Sequence, residues 1–103
     1  MAKKPESHLQ RRIQEALRVA FPGCYVRKVH VSEFSAAGIP DLVCCIRGMF
    51  IGIEVKMPGE QPTRLQEFEL NEIGKAGGYA FVASSPEQAV ERCTLMVAER
   101  LPW

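Results

Sequence analysis

With 103 residues, the chain is long enough for one domain with a single modest core and too short for a catalytic domain plus a separate recognition domain. Hydrophobic residues at 47% and charged residues at 24% exclude wholesale disorder, and no apolar run approaches the ~18 residues of a membrane span. The formal net charge of +1 hides an asymmetry: residues 1–28 hold seven cations against Glu6 and Glu15, for +5, whereas residues 57–103 hold four against seven glutamates, for −3.

The first residues carry Lys3 and Lys4 with no apolar stretch behind them, so no secretory signal is read there and a cytoplasmic location is expected. Residues 6–21 predict an amphipathic helix, because Leu9, Ile13, Ala16, Leu17, Ala20 and Phe21 recur at three- and four-residue spacing before Pro22-Gly23. Helical geometry puts Glu6 at the centre of the apolar face, with Gln10 near it, while Glu15 and His8 fall on the outer side. Arg11, Arg12, Arg18 and Lys28 are candidates for phosphate contacts, although charge alone fits a solvated helix equally well.

Residues 24–32 alternate as a strand, with Val29 and Val31 on one side and Lys28 and His30 on the other. Glu33 to Pro40 is turn-like and delivers Asp41 to the next strand. Residues 41–47 and 50–57 predict two apolar strands joined as a hairpin through Gly48-Met49. Pro58 to Pro62 breaks the chain, Thr63 caps a helix to about Ala76, residues 79–83 form a fourth strand, and Ser85-Pro86 opens a last helix to about Arg100. The order αβββαβα, without repeats or linkers, predicts one α/β sandwich over residues 1–103. Cys24, Cys44, Cys45 and Cys93 lack zinc-ligand spacing and read as core packing in a reducing compartment.

The chemistry concentrates in the hairpin. A turn at Gly48-Met49 would set Asp41 opposite Lys56 and Val43 opposite Glu54, and opposed or i, i+2 positions share a face, so Asp41, Glu54 and Lys56 converge at one end of one side. Ile51, Ile53, Val55 and Met57 make the other side apolar, and a one-residue slip would bury the charges in their place. Two neighbouring carboxylates repel, and a divalent metal resolves the conflict; hard oxygen ligands suit Mg²⁺ or Mn²⁺ better than zinc. Lys56 would orient the attacking water or stabilise the pentacovalent state, and Glu6 could hold a second metal or a metal-bound water. E-x-K alone is equally a surface ion pair; the set of Pro40-Asp41, Glu54, apolar strands and an inward Glu6 shifts the balance.

From Glu6 to Val82 the chain resembles the VRR-NUC family of PD-(D/E)XK nucleases, which includes stand-alone phage proteins. The matching residues are Glu6, Gly38-Ile39-Pro40-Asp41-Leu42, Ile53-Glu54-Val55-Lys56 with Pro58-Gly59, Gln66 and Gly77. The resemblance implies an αβββαβ(α) restriction-endonuclease-like three-layer sandwich with a central mixed sheet. It implies metal-dependent phosphodiester hydrolysis, with Asp41, Glu54 and the Val55 backbone carbonyl as metal ligands, Lys56 catalytic, Glu6 an auxiliary acid and Gln66 lining the site. It also implies a homodimer acting on branched DNA such as four-way (Holliday) junctions, in a bacterial or phage-infected host cell. Gln66 has a second reading as a hydrogen-bonding group of the helix cap. The interface is not legible, since Leu95, Met96, Leu101 and Trp103 fit core packing and a frayed tail as well. Two other functions stand beside the nuclease: a non-catalytic nucleic-acid-binding module that keeps the fold, and a thiol or metal-thiolate protein.

Overall fold

The computed structural model describes residues 4–30 and 37–100. Val31 and Ser32, the loop up to Ala36, and Lys3, Leu101 and Trp103 lie outside the described residues. The elements are α1 (Lys4–Ala20), β1 (Tyr25–Lys28), β2 (Leu42–Ile46), β3 (Met49–Val55), α2 (Arg64–Lys75), β4 (Tyr79–Ala83) and α3 (Pro86–Arg100). They make a four-stranded sheet in the order β1-β2-β3-β4, antiparallel across the first two pairings and parallel between β3 and β4. The expected mixed sheet and α/β sandwich are therefore present.

Side-chain alternation sorts the layers. Leu42, Cys44, Ile46, Ile51, Ile53 and Val55 share one face of the hairpin, all buried, with Val26, Phe81 and Ala83 continuing that face across β1 and β4. Against it pack α1 through Leu9, Ile13 and Leu17, and α3 through Ala89, Cys93 and Met96. On the opposite face α2 lies over β3 and β4, with Leu70 and Ile73 only half-buried. A Cβ on Gly52 would stand 2.7 Å from Ile73 Cδ1 and 3.2 Å from Pro40 Cγ, so glycine there lets α2 and the loop before β2 close down on the sheet. No described helix is long and apolar enough to cross a membrane.

Three expectations are corrected. The hairpin turn is Arg47-Gly48, because Ile46 pairs with Met49. Both turn residues have positive φ, 51° and 81°, as a type I′ turn demands, while Met49 is buried in the core. Pairs thus shift by two residues: Val43 faces Gly52 instead of Glu54, and Asp41, one step beyond Leu42↔Ile53, comes level with Glu54 instead of Lys56. An even shift leaves every side chain on its expected face, so the convergence of Asp41, Glu54 and Lys56 survives the error. In β1 the buried residue is Val26, on the same face as Lys28, and Val29 is only half-buried; the covering of this edge strand comes from α1 on one side. Cys45 is exposed rather than core, because it faces the side of the sheet that α2 leaves open at β1 and β2, whereas Cys44 and Cys93 are fully buried and Cys24 half-buried.

The turn assignment gives a stability test. Arg47→Asn is expected to raise the free energy of urea unfolding by up to about 1 kcal/mol, since Asn tolerates the left-handed region better. Met49→Ala is expected to cost roughly 2–5 kcal/mol. A neutral Met49→Ala would favour the Gly48-Met49 turn.

Candidate active site

The site forms where β2 begins and β3 ends. Asp41 is held from both sides: its carbonyl accepts from the Val29 amide at 2.8 Å, and its Oδ2 accepts from the Val55 amide at 2.9 Å. Its carboxylate is therefore fixed on the sheet instead of swinging in solvent. Gly38, with φ +86°, brings the preceding loop against the first turn of α2; a Cβ there would stand 2.6 Å from the Leu65 carbonyl oxygen. This close approach and the Pro40 contact to Gly52 set the path of the chain into Asp41.

Glu54 is 2% exposed in a strand otherwise filled by aliphatic residues. Its Oε2 lies 3.8 Å from Lys56 Nζ, and its Oε1 has no hydrogen-bond partner. Burial pushes the Glu54 carboxyl up to about 8, and the adjacent Asp41 charge adds to the rise; Lys56 opposes it, and Glu6 contributes a smaller upward push. The Lys56 amide donates to the Ala83 carbonyl at 3.1 Å, which continues the β3–β4 pairing past Val55 and fixes the base of the lysine.

The structure thus brings Asp41, Glu54 and Lys56 together and sets Glu6, on the first turn of α1, within electrostatic reach. Among the described residues no three His, Cys, Asp or Glu side chains are gathered as a metal cage. The donor set still fits a hard divalent cation. It offers two carboxylates, one with a buried oxygen lacking a donor, beside the backbone of Val55; a cation of this kind is held by one or two carboxylates, with waters and phosphate completing its shell. Gln66 occupies the third position of α2, where its Oε1 accepts from the Thr63 amide at 2.8 Å while its own amide donates to Thr63 Oγ1 at 3.2 Å. The capping box therefore takes Gln66 Oε1, and only its Nε2 is left to turn elsewhere.

Arg11, Arg12, Arg18 and Lys28 are all exposed and form no ion pair with a carboxylate among the described residues. Arg18 has a structural bond as well, donating to the Val26 carbonyl at 3.1 Å. Beside Asp41 the open half of the sheet face carries exposed Tyr25 and Arg27, whose guanidinium stacks 4.3 Å from the Tyr25 ring centroid. Thiol chemistry gains no support from the buried cysteines: burial pushes the Cys44 thiol up to about 12 and that of Cys93 to about 11, which keeps both protonated. Sequence reasoning named Gln10 as near the inward face but gave it no role; it is 5% exposed and its Oε1 has no partner.

Two tests follow from this geometry. A carboxyl raised from 4.5 to about 8 binds its proton more tightly when folded, so its contribution to stability is complete below pH ~4.5 and is lost as pH rises through about 8. In the metal-free protein Glu54→Gln is expected to flatten that decline and to be more stable than wild type at pH 9, by an amount on the order of a few kcal/mol in urea unfolding; parallel pH profiles for the two proteins would contradict it. Gly38→Ala is expected to cost at least about 1–3 kcal/mol through backbone collision and the positive φ, with thermal unfolding as the readout.

No protein-family model matches the sequence, and neither does any curated protein. Solved structures do match. A protein described as a VRR_NUC domain superposes with a TM-score of 0.66 at 27% identity, covering 94% of this chain and 97% of its own. A second, described as a VRR_NUC domain protein, gives a TM-score of 0.68 at 18% identity over 90% of this chain and 88% of its own, a likeness of fold alone. Hjc from Archaeoglobus fulgidus, described as a Holliday junction resolvase from an archaeal hyperthermophile, gives 0.59 at 25% identity over 75% of this chain and 65% of its own. This chain, whose Asp41, Glu54 and Lys56 converge on one sheet end, is thus similar in its sandwich, over nearly the full length of both chains, to a structure described as a VRR_NUC domain.

Proposed function

We propose that the chain is a metal-dependent endonuclease that hydrolyses DNA phosphodiester bonds, with a structural preference for branched DNA such as four-way junctions. The observation that carries this reading is the buried Glu54 carboxylate, level with Asp41, with one oxygen lacking any donor and Lys56 alongside. An ordinary surface ion pair would not bury its acid to 2% exposure.

In this proposal Asp41, Glu54 and the Val55 carbonyl hold Mg²⁺ or Mn²⁺. When bound, such an ion acidifies the attacking water and neutralises charge on the phosphoryl and leaving oxygens. Lys56, anchored through its amide to β4, places its ammonium group beside the reacting phosphate to orient the water and stabilise negative charge. Glu6 acts as an auxiliary acid through water or a second ion. Gln66 is restricted to donating from Nε2, because the cap holds its oxygen. Exposed Arg11, Arg12, Arg18 and Lys28 follow the DNA backbone.

Branched DNA enters the proposal through the Hjc likeness together with the small size of the chain: symmetrical incision of a junction needs two such sites in fixed relation, which a homodimer supplies. We read residues 1–103 as one domain working in the cytoplasm of a bacterial or phage-infected cell.

Cleavage of labelled four-way-junction, flap, single-stranded and duplex DNA with Mg²⁺, Mn²⁺ or chelator tests the reading. Wild type is expected to cut only with metal and best at the junction, and Asp41→Asn and Lys56→Ala to lose at least ~10²-fold. Tight metal-independent binding with no cutting would instead identify a docking module. Arg12→Ala and Lys28→Ala are each expected to lower the slope of log affinity against log salt by about 1. Arg18→Ala is expected to lose thermal stability as well, through its bond to Val26.

A further inference from the structure

Gln10 is unexplained by the fold. It lies one turn after Glu6 on the inward side of α1, among Leu9, Ile13 and Leu17, where an apolar side chain would pack without loss. At 5% exposure its Oε1 has no hydrogen-bond partner, and a buried carbonyl oxygen without a donor is unfavourable wherever it occurs. Among the described residues only one other buried side-chain oxygen shares that condition, Glu54 Oε1.

The direction of α1 puts these two oxygens toward the same end of the sheet. Its last residue, Ala20, lines a hollow with Cys45, Ile46 and Arg47 at the hairpin turn, and Arg18 reaches the carbonyl of Val26. Its first turn lies at the other end, where the Glu6 charge is felt by Glu54. Gln10, about 6 Å along the axis from Glu6, belongs to that half of the helix.

The local chemistry is short of donors. Asp41 Oδ2 takes the Val55 amide and Glu54 Oε2 lies 3.8 Å from Lys56 Nζ, while Glu54 Oε1 and Gln10 Oε1 have no donor. A hydrated divalent ion supplies both: positive charge for the carboxylates, and water hydrogens pointing outward to more distant oxygens. Mg²⁺ gives up its waters reluctantly, so such outer acceptors are part of how it is held.

We propose that Gln10 is a positioning residue of the metal site, its Oε1 accepting a hydrogen bond from the hydration shell of the cation that Asp41 and Glu54 bind. The inference rests on the nuclease reading and adds a residue of α1 to that site. It separates two effects that a purely structural glutamine would join, because removing the oxygen relieves the folded protein and weakens the metal.

The test compares wild type, Gln10→Met and Gln10→Glu as full chains, by Mn²⁺ titration followed calorimetrically and by thermal unfolding without metal. Gln10→Met, similar in length and without an acceptor, is expected to raise the metal-free Tm by a few degrees and to weaken Mn²⁺ binding about tenfold or more. Gln10→Glu restores an acceptor and is expected to hold Mn²⁺ within about threefold of wild type. Unchanged Mn²⁺ affinity in Gln10→Met, or an equal loss in both variants, would overturn the role of the oxygen. Wild type that binds no Mn²⁺ at all would remove the metal site itself, and the nuclease reading with it.

Discussion

The architecture depends on an electrostatic conflict left inside the sheet. Glu54 sits in β3 between Ile53 and Val55, both fully buried, and faces Asp41 across the opening of the hairpin. Its only nearby cation among the described residues is Lys56, at 3.8 Å. Burial and like charge both favour a proton on Glu54, so the folded chain at neutral pH holds a group that would be more comfortable unfolded. A strand this apolar carries such a cost because Ile51, Ile53 and Val55 on its other face anchor the core between the sheet, α1 and α3. Stability is thus supplied by one face of β3, and the charged cluster of Asp41, Glu54 and Lys56 sits on the other.

The remaining features keep that conflict in place. Asp41 is fixed through the amides of Val29 and Val55, and Gly38 and Gly52 allow α2, the preceding loop and the sheet to approach within distances no larger residue permits. The capping box of Thr63 and Gln66 starts α2 at the point where Gly38 rests on it. The type I′ turn at Arg47-Gly48 fixes register from the far end of the hairpin. From the opposite layer α1 packs on the sheet through Leu9, Ile13 and Leu17.

Much of this was legible in the sequence because period-2 alternation is robust. The hairpin turn lies two residues' pairing away from the expected one, yet Asp41, Glu54 and Lys56 still converge, since a two-residue shift in pairing cannot move Glu54 or Lys56 to the other face. Cap chemistry at Thr63 and the order of elements along the chain are equally visible. What escaped were properties of contact in three dimensions. That Gly38 touches Leu65, that Cys45 looks onto an uncovered half-sheet, and that Val26 rather than Val29 is the buried residue of β1 depend on which helix covers which strand. Gln66 read as a site residue from its motif position, and only its bonds to Thr63 reveal how much of it the cap consumes. Gln10 was visible as an inward residue, but its orphaned oxygen is a fact of packing.

The central claim is that the Asp41–Glu54 pair is built to be completed by a divalent cation, and thermal unfolding of the wild-type protein with and without Mg²⁺ between pH 5 and 9 tests it most directly. A proton and the cation compete for Glu54, so the account predicts a Tm increase with Mg²⁺ that grows from pH 5 to pH 9 as the carboxyl, near 8 without metal, gives up its proton. A Tm that ignores Mg²⁺ throughout, or an increase of the same size at both ends of the range, would contradict it.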